Sequence, residues 1–414
     1  MEKVLISRFP ITLLPLLLIT GPFLSDLVLS ISSLFFLIIA LLNKKFEYLH
    51  NKYFLYFLLF WIFISLNSIY SGSFISIKSS LTYIRFGIFL LIFFYIFENY
   101  KDFIKNLKFV VLICLIILFF DSLIQYFYGQ NILGYPRDSR ISSFFRDEKI
   151  LGSYIVKLVP IYISLYYFEK KKTILNFKIL IVLLGSLSLI LLSSERSALG
   201  LYLLYLFLLS MVFYKDFKKL LIYGFVIIFF LATVILNSES VYNRYVVVLI
   251  DQFKVTKSQN INNSKKFYYF TEGHDNLFYT AFSMFKEKPL IGHGTKNFRV
   301  KCNNQKYHRN SDNNINLACN THPHNFYLQI LAENGILGFI FLSTIFFYFL
   351  YLFIKNAFSK NNKRILNLII ASNIVILWPI VPHGDFFNNW LSIIIFLNFS
   401  IFICYKNYFD HKEV

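Results

Sequence analysis

Apolar stretches of near-membrane-spanning length recur along almost the whole sequence, and this repetition restricts the fold more than any other feature. After a first stretch that ends near Gly21-Pro22, they lie at about 25–42, 53–70, 79–97, 108–128, 150–168, 177–194, 196–214, 220–237, 325–354, 365–381 and 390–405. A transmembrane helix needs roughly 20 predominantly apolar residues, so these stretches predict about twelve helices. Hydrophobic residues make up 57% of the chain. We therefore expect an all-α integral membrane protein, a single polytopic domain over residues 1–414.

Basic residues are concentrated in alternate connections between these stretches. The groups are Lys44/Lys45/Lys52, Lys101/Lys105/Lys108, Lys170/Lys171/Lys172, Lys215/Lys218/Lys219 and Lys355/Lys360/Lys363/Arg364. The positive-inside rule assigns them to the cytoplasm, together with both termini. Residues 129–149, 193–196, 238–323 and 382–389 then lie outside. The net charge of +19 is explained by this membrane-surface pattern, and no nucleic-acid partner is predicted.

The first stretch admits a second interpretation, because Lys3 and Arg8 precede it as in a signal peptide. No small-x-small cleavage site follows, which favours a retained first span.

The outer connection 238–323, between the ninth and tenth predicted helices, is too long to be a simple connector. Residues Asp275 to Lys288 place Leu277, Phe278, Ala281, Phe282 and Phe285 on one face and stop at Pro289, which predicts an amphipathic helix. Residues 241–253 predict a second, weaker one. The segment from Pro289 to Arg299 contains Gly292-x-Gly294, a turn that can present backbone N–H groups to an anion.

The end of this connection, Thr321-His-Pro-His-Asn325, leads into an apolar helix that we expect to begin near His324. Asn325, Gln329 and Glu333 form a polar stripe that must face protein or water. A helix N-terminus disfavours imidazolium, so His324 is a candidate general base, and Asn325 beside it is a candidate substrate-binding residue. The alternative is that the two histidines only cap the helix end.

Arginines on the outer side run against the positive-inside bias, and they are candidate ligands for a phosphate or pyrophosphate. They are Arg140, Arg146, Arg196, Arg244 and Arg299. Arg196 stands out because it follows Glu195 in a turn too short to be solvated. Its structural alternative is an ion pair with Glu195 or Glu333 that fixes helix packing.

Cys302 and Cys319 allow two interpretations. An exported, oxidising compartment favours a disulfide between them, whereas Cys319-x2-His322-x-His324 also offers zinc ligands at plausible spacing. We expect the disulfide and no metal, because the intervening stretch shows no apolar shell for a metal site.

Several of these segments resemble the O-antigen ligase and polymerase superfamily of bacterial envelope glycosyltransferases. The resemblance lies in His-Pro-His324-Asn followed by nine residues and Gly335-Ile-Leu-Gly338, with Ser-Glu-Arg196-Ser, Pro289-Leu-Ile-Gly-x-Gly-x-x-Asn-Phe-Arg299 and Arg140-Ile-Ser-x-Phe-x-x-Asp-Glu-x-x-Leu-Gly152 as weaker elements. It covers about residues 140–340.

The resemblance implies a metal-independent inverting glycosyltransferase of the bacterial inner membrane that needs no cofactor. Its site would lie on the periplasmic face, and its donor would be an undecaprenyl-pyrophosphate-linked glycan. His324 corresponds to the family's essential histidine and Arg196 to its span-edge arginine. A second outer-loop arginine is usual in the family, and His274 stands there in this sequence, which leaves Arg244 or Arg299 as substitutes.

The acceptor stays open at this stage. A ligase transfers glycan to a lipid A core, a polymerase to another lipid-linked repeat, and a protein-glycosylating relative to Ser or Thr. We favour the ligase on the form of the motif. A transporter of lipid-linked sugars is the alternative from another class, but transporters place polar groups near the bilayer midplane.

Overall fold

The computed structural model describes residues 8–42, 46–138, 140–171, 174–248, 250, 271–309, 315–357 and 363–410. Within these ranges the fold is helical, and the extended pairing is a single isolated bridge between Gln130 and Pro136. The helices are α1 (Arg8–Thr12), α2 (Leu14–Ile19), α3 (Pro22–Leu42), α4 (Lys52–Ser71), α5 (Phe74–Thr82), α6 (Ile84–Asn99), α7 (Phe103–Tyr128), α8 (Leu151–Lys170), α9 (Phe177–Ser193), α10 (Arg196–Val212), α11 (Phe217–Asn237), α12 (Glu239–Tyr242), α13 (Glu272–Glu287), α14 (Phe298–Lys301), α15 (Ile315–Ala318), α16 (Phe326–Ala357), α17 (Arg364–Ile376) and α18 (Asn389–Asp410).

The predicted all-α membrane architecture is confirmed. Over the described ranges, 8 spans are long and apolar enough to cross a membrane, with α5 and α6 counted together as one span over Phe74–Asn99. Helices α9, α10 and α17 are shorter apolar helices. The predicted first span consists of two short helices, α1 and α2. The predicted span at 365–381 ends early, at Ile376, because Pro379 lacks the N–H that would continue it.

The bundle is organised around α8, which is buried along most of its length and packs against α7, α9 and α17. Helix α11 lies at the periphery and leaves large apolar side chains such as Phe225 and Ile228 exposed. In a chain of this composition, exposed apolar faces on long helices are the surfaces that lipid covers.

Helix α16 is interrupted at Gly335, where φ is 62° and ψ is −164°. The segment that starts at Pro289 fits into this break: the N–H of Ile336 donates to the Pro289 carbonyl at 2.8 Å, and the N–H of Gly294 donates to the Glu333 carbonyl at 2.7 Å. A Cβ at Gly335 would lie 2.3 Å from the Leu290 carbonyl oxygen, so only glycine fits. The break therefore fixes the outer connection to the first half of α16.

The predicted amphipathic helix in this connection is present as α13. Thr271 caps it, accepting a hydrogen bond from the N–H of His274 at 3.3 Å. Its buried face includes Leu277, Ala281 and Met284 and packs on α16. Phe282 was predicted on the apolar face but is 43% exposed. Of the weaker predicted helix at 241–253, the structure shows the end of α12 and a π-helical turn at Asn243–Val247, and the part beyond residue 250 lies outside the described residues.

Candidate active site

The motif around His324 caps α16 in a way that differs from the prediction. The helix begins at Phe326, and Asn325 is the capping residue: its Oδ1 accepts the N–H groups of Tyr327 at 3.0 Å and Leu328 at 3.1 Å. Asn325 Nδ2 donates to the Pro379 carbonyl at 2.8 Å. The helix was expected to begin near His324 and begins two residues later, because His324 has a φ of 56° and stands outside the helix.

The hydrogen bonds around His324 leave its Nε2 as the proton acceptor. Nε2 lies 3.3 Å from the side-chain nitrogen of Asn320, while the Asn320 oxygen accepts the N–H of Thr321 at 2.7 Å. Since the Asn320 oxygen is engaged, its nitrogen is the donor toward Nε2 and the ring proton belongs on Nδ1. Burial lowers the pKa of His324, against a hydrogen bond with the backbone of His383 that raises it. His324 is thus neutral near pH 7, as a general base requires.

Two further imidazoles surround His324. The ring of His322 lies 4.2 Å away and that of His274 lies 5.5 Å away, measured between centroids. Burial, followed by the charge of His324, lowers the pKa of His322 to about 4. Burial, His324 and Arg196 lower the pKa of His274 to about 4. The three rings therefore form a neutral group at neutral pH.

Arg196 is close enough to His274 for its charge to lower the pKa of that ring. Two further arginines, Arg140 and Arg244, interact electrostatically with Arg196, and each of the three comes from a different segment. Arg196 is the first residue of α10, Arg140 lies in the loop before α8, and Arg244 lies in the turn after α12. Burial and the charges of Arg140 and Arg196 lower the pKa of Arg244. We call Arg140, Arg196, Arg244, His274 and His324 the basic cluster.

The carboxylate beside Arg196 is used to join two helices. Glu195 accepts the N–H groups of Gly152 at 2.6 Å and Ser153 at 3.0 Å, which caps α8. A Cβ at Gly152 would meet the Ser193 hydroxyl at 2.4 Å, so the approach is close. The turn that carries Arg196 is thereby fixed against the start of α8.

Asp121, on α7, holds the loop that carries Arg140. Its carboxylate accepts the N–H of Ile132 at 3.0 Å and the hydroxyl of Ser143. Gln125, one turn further along α7, accepts the N–H of Ser143 at 2.7 Å. A polar pair one turn apart near the end of a predicted span was the signal in the sequence that could have revealed this anchor.

The remaining predicted binding residues lie outside the basic cluster. Arg146 is exposed, and its guanidinium lies 4.9 Å from the ring centre of Tyr135. Arg299 binds the carboxylate of Asp385 at 2.9 Å. Asn325 is the helix cap described above.

The turn at Gly292 and Gly294 was predicted to be able to present backbone N–H groups to an anion, and in the structure two of these groups have other partners. The N–H of His293 donates to Ala332 at 3.0 Å and that of Gly294 donates to Glu333, so both groups pair with the backbone of α16.

Cys302 and Cys319 form a disulfide, with their Cα atoms 5.0 Å apart. A bonded sulfur is not a thiolate ligand, so the zinc set that included Cys319 does not assemble here. Over the residues that the structure describes, no group of three or more His, Cys, Asp or Glu side chains is placed to hold a metal ion.

The fold and the site define a multi-pass membrane protein with arginines and histidines gathered at one end of its helix bundle. Residues 180–343 match the family described as O-antigen ligase, which confirms the resemblance over that segment. The matched segment includes Arg196, Arg244, His274 and His324, and Arg140 precedes it. Members of this family are membrane glycosyltransferases. No curated protein matches the chain.

Proposed function

We propose that the protein is an O-antigen ligase-like glycosyltransferase that moves a glycan from undecaprenyl pyrophosphate to an acceptor sugar hydroxyl. The observation that carries the proposal is a chain of neighbours from distant segments. His324 lies 5.5 Å from His274, the charge of Arg196 acts on His274, and the charges of Arg140 and Arg196 act on Arg244. A base beside several guanidiniums suits a reaction in which a hydroxyl attacks and a pyrophosphate departs.

In this mechanism, His324 Nε2 takes the proton as the acceptor O–H bond breaks. The acceptor oxygen forms a bond to the anomeric carbon from the side opposite the leaving group, which inverts the configuration. The bond from the anomeric carbon to the phosphate oxygen breaks, and its electron pair leaves with undecaprenyl pyrophosphate. The arginines neutralise the charge that develops on this leaving group, and no step assigns a role to a metal ion.

Lipid A core is the acceptor that we propose, and a second lipid-linked repeat is the alternative, since the same chemistry serves a polymerase. A transporter of lipid-linked sugars is less well supported, because the basic cluster lies at helix ends and in connections.

The lysine alternation supports a bacterial inner-membrane protein with both termini in the cytoplasm and the basic cluster on the periplasmic face. Reporter fusions after Lys172, Lys219 and Arg364 should read cytoplasmic, and fusions at Asn262 and Asn313 periplasmic. A cytoplasmic signal at Asn262 would contradict this orientation and with it the access of the donor.

The decisive experiment replaces His324 by Ala in purified protein in a lipid bilayer, supplied with undecaprenyl-pyrophosphate-linked glycan and lipid A core. Transfer should fall by about 10²- to 10⁴-fold, the usual range for loss of a general base. His308→Ala is the matched control, because His308 lies in the same connection but contacts the Cys302 carbonyl at 2.6 Å. Transfer by His324→Ala at the rate of the control would defeat the assignment and leave His324 as a structural residue.

A further inference from the structure

The geometry points to Asn320 as an acceptor-binding residue: its side-chain amide marks the subsite where the acceptor sugar presents its hydroxyl to His324. This inference rests on the proposed function and adds to it the side from which the acceptor enters and the residue that holds it.

The role of Asn320 is inferred from the distance that a general base requires. A base must come within about 2.6–3.2 Å of the oxygen whose proton it takes. His324 Nε2 already has one polar neighbour on its accepting side, the Asn320 nitrogen at 3.3 Å. An acceptor hydroxyl that reaches Nε2 must therefore replace this amide contact, and Asn320 becomes its immediate neighbour.

Exposure supports an entry at this side. Asn320 and Thr321 are both exposed, whereas His322 and His324 are half-buried and Pro323 is buried. A ligand from outside consequently meets Asn320 and Thr321 before the imidazole. The arginines of the basic cluster come from other segments, so the acceptor and the pyrophosphate use separate sets of residues.

Once the acceptor hydroxyl replaces the contact between Asn320 and His324, the NH₂ group of Asn320 is available to bind a ligand. The side-chain oxygen of Asn320 accepts the Thr321 N–H at 2.7 Å, which leaves the NH₂ group as a donor. An amide donor suits the oxygen of a second sugar hydroxyl next to the reacting one. Two contacts to neighbouring hydroxyls, one from His324 and one from Asn320, orient the sugar as well as bind it.

The backbone at Asn320 is held by the disulfide. Cys319, the preceding residue, is bonded to the buried Cys302, whose sulfur also lies 3.6 Å from the Asn320 carbonyl oxygen. The disulfide thus fixes the exposed amide relative to the imidazole, which a mobile loop tip could not do.

The experiment measures acceptor and donor separately in full-length protein in a lipid bilayer. Asn320→Ala should raise the KM for lipid A core by about 2- to 10-fold, the loss of one hydrogen bond. The Kd for undecaprenyl pyrophosphate alone should not change. Asn304→Ala is the control: Asn304 is exposed in the same connection and also caps a local turn, accepting the Lys306 N–H at 3.1 Å.

A second variant tests contact with the base and does not depend on loss of the side chain. In Asn320→Asp, a carboxylate facing Nε2 stabilises the imidazolium, so the acidic limb of the pH–rate profile should move to higher pH. A purely structural role for Asn320 would lower abundance or rate without moving this limb.

The outcomes separate this inference from the proposed function. Transfer that depends on His324 but has the same acceptor KM in Asn320→Ala and Asn304→Ala overturns the acceptor subsite alone. A raised Kd for undecaprenyl pyrophosphate in Asn320→Ala also overturns it, since it would assign Asn320 to the donor. Transfer that survives in His324→Ala overturns the proposed function itself.

Discussion

Two polar regions of the protein contain similar residues but balance their charges differently. In the first, Asp385 accepts hydrogen bonds from Arg299 at 2.9 Å and from Gln329 at 2.7 Å, so opposite charges meet inside the protein. In the basic cluster, cations are neighbours of cations, and the charges of Arg140 and Arg196 both act on Arg244. In the first arrangement each charge has a partner, whose loss would leave the other charge uncompensated, whereas the repulsion between like charges held together is relieved when an anion binds.

The largest effect on stability should come from breaking the balanced region. Asp385→Ala leaves Arg299 without its partner and removes the acceptor for Gln329, which should lower the free energy of unfolding by about 3–5 kcal/mol. Thermal unfolding of the purified protein and its abundance in membranes measure this loss. Glu287→Ala breaks the exposed Glu287–Lys306 pair and should change neither. A stable Asp385→Ala protein that no longer binds undecaprenyl pyrophosphate would move this network into the substrate site.

The next effect is on catalysis, in the basic cluster. Arg196→Lys keeps the charge but loses the two-pronged guanidinium, so transfer should fall by about 10²- to 10³-fold with abundance unchanged. Arg146→Lys is the matched control, because Arg146 lies against Tyr135 and outside the cluster. Equal activity of the two variants would remove Arg196 from the pyrophosphate site.

The smallest effect concerns pH. A general base works when it is neutral, and burial lowers the pKa of His324, so the acidic limb of kcat/KM should lie below the ordinary histidine value of about 6.5. The free energy of unfolding should also fall as the pH falls. With a folded pKa of about 4, His274 binds fewer protons than in the unfolded chain between pH 6.5 and 4, so stability falls as pH falls there.

Thermal unfolding of wild type and His274→Gln across this pH window checks the stability part. The variant should lose a small part of the pH dependence. An acidic limb above pH 7 in wild type would contradict a buried, neutral His324.

The spans were predictable because each one carries its own signal in composition and length. Three of the arginines that converge were also predictable as candidates, since Arg140, Arg196 and Arg244 depart from the positive-inside pattern. That rule says nothing about a partner, however. It could not distinguish Arg299, whose carboxylate partner Asp385 lies 86 residues away in sequence.

The break in α16 was not predictable for a related reason. A glycine within an apolar run is compatible with a continuous helix, which it destabilises by about 1 kcal/mol relative to alanine. The cause of the break is the segment Pro289–Gly294, which occupies it and lies more than forty residues upstream. The same limit applies to Asn320, whose place beside His324 appears only in the folded structure.

The interruption at Gly335 also gives the helical segment before it a fixed length. Gly335 lies ten positions after Asn325, about 15 Å along an α-helix at 1.5 Å per residue. One end of this segment is fixed by the cap at Asn325, and the other end is fixed by residues Pro289–Gly294, which occupy the break. Inserting a single residue would turn the histidine end by about 100° about the helix axis and carry His324 away from the arginines. The spacing of the motif therefore sets the position of His324 relative to the break at Gly335.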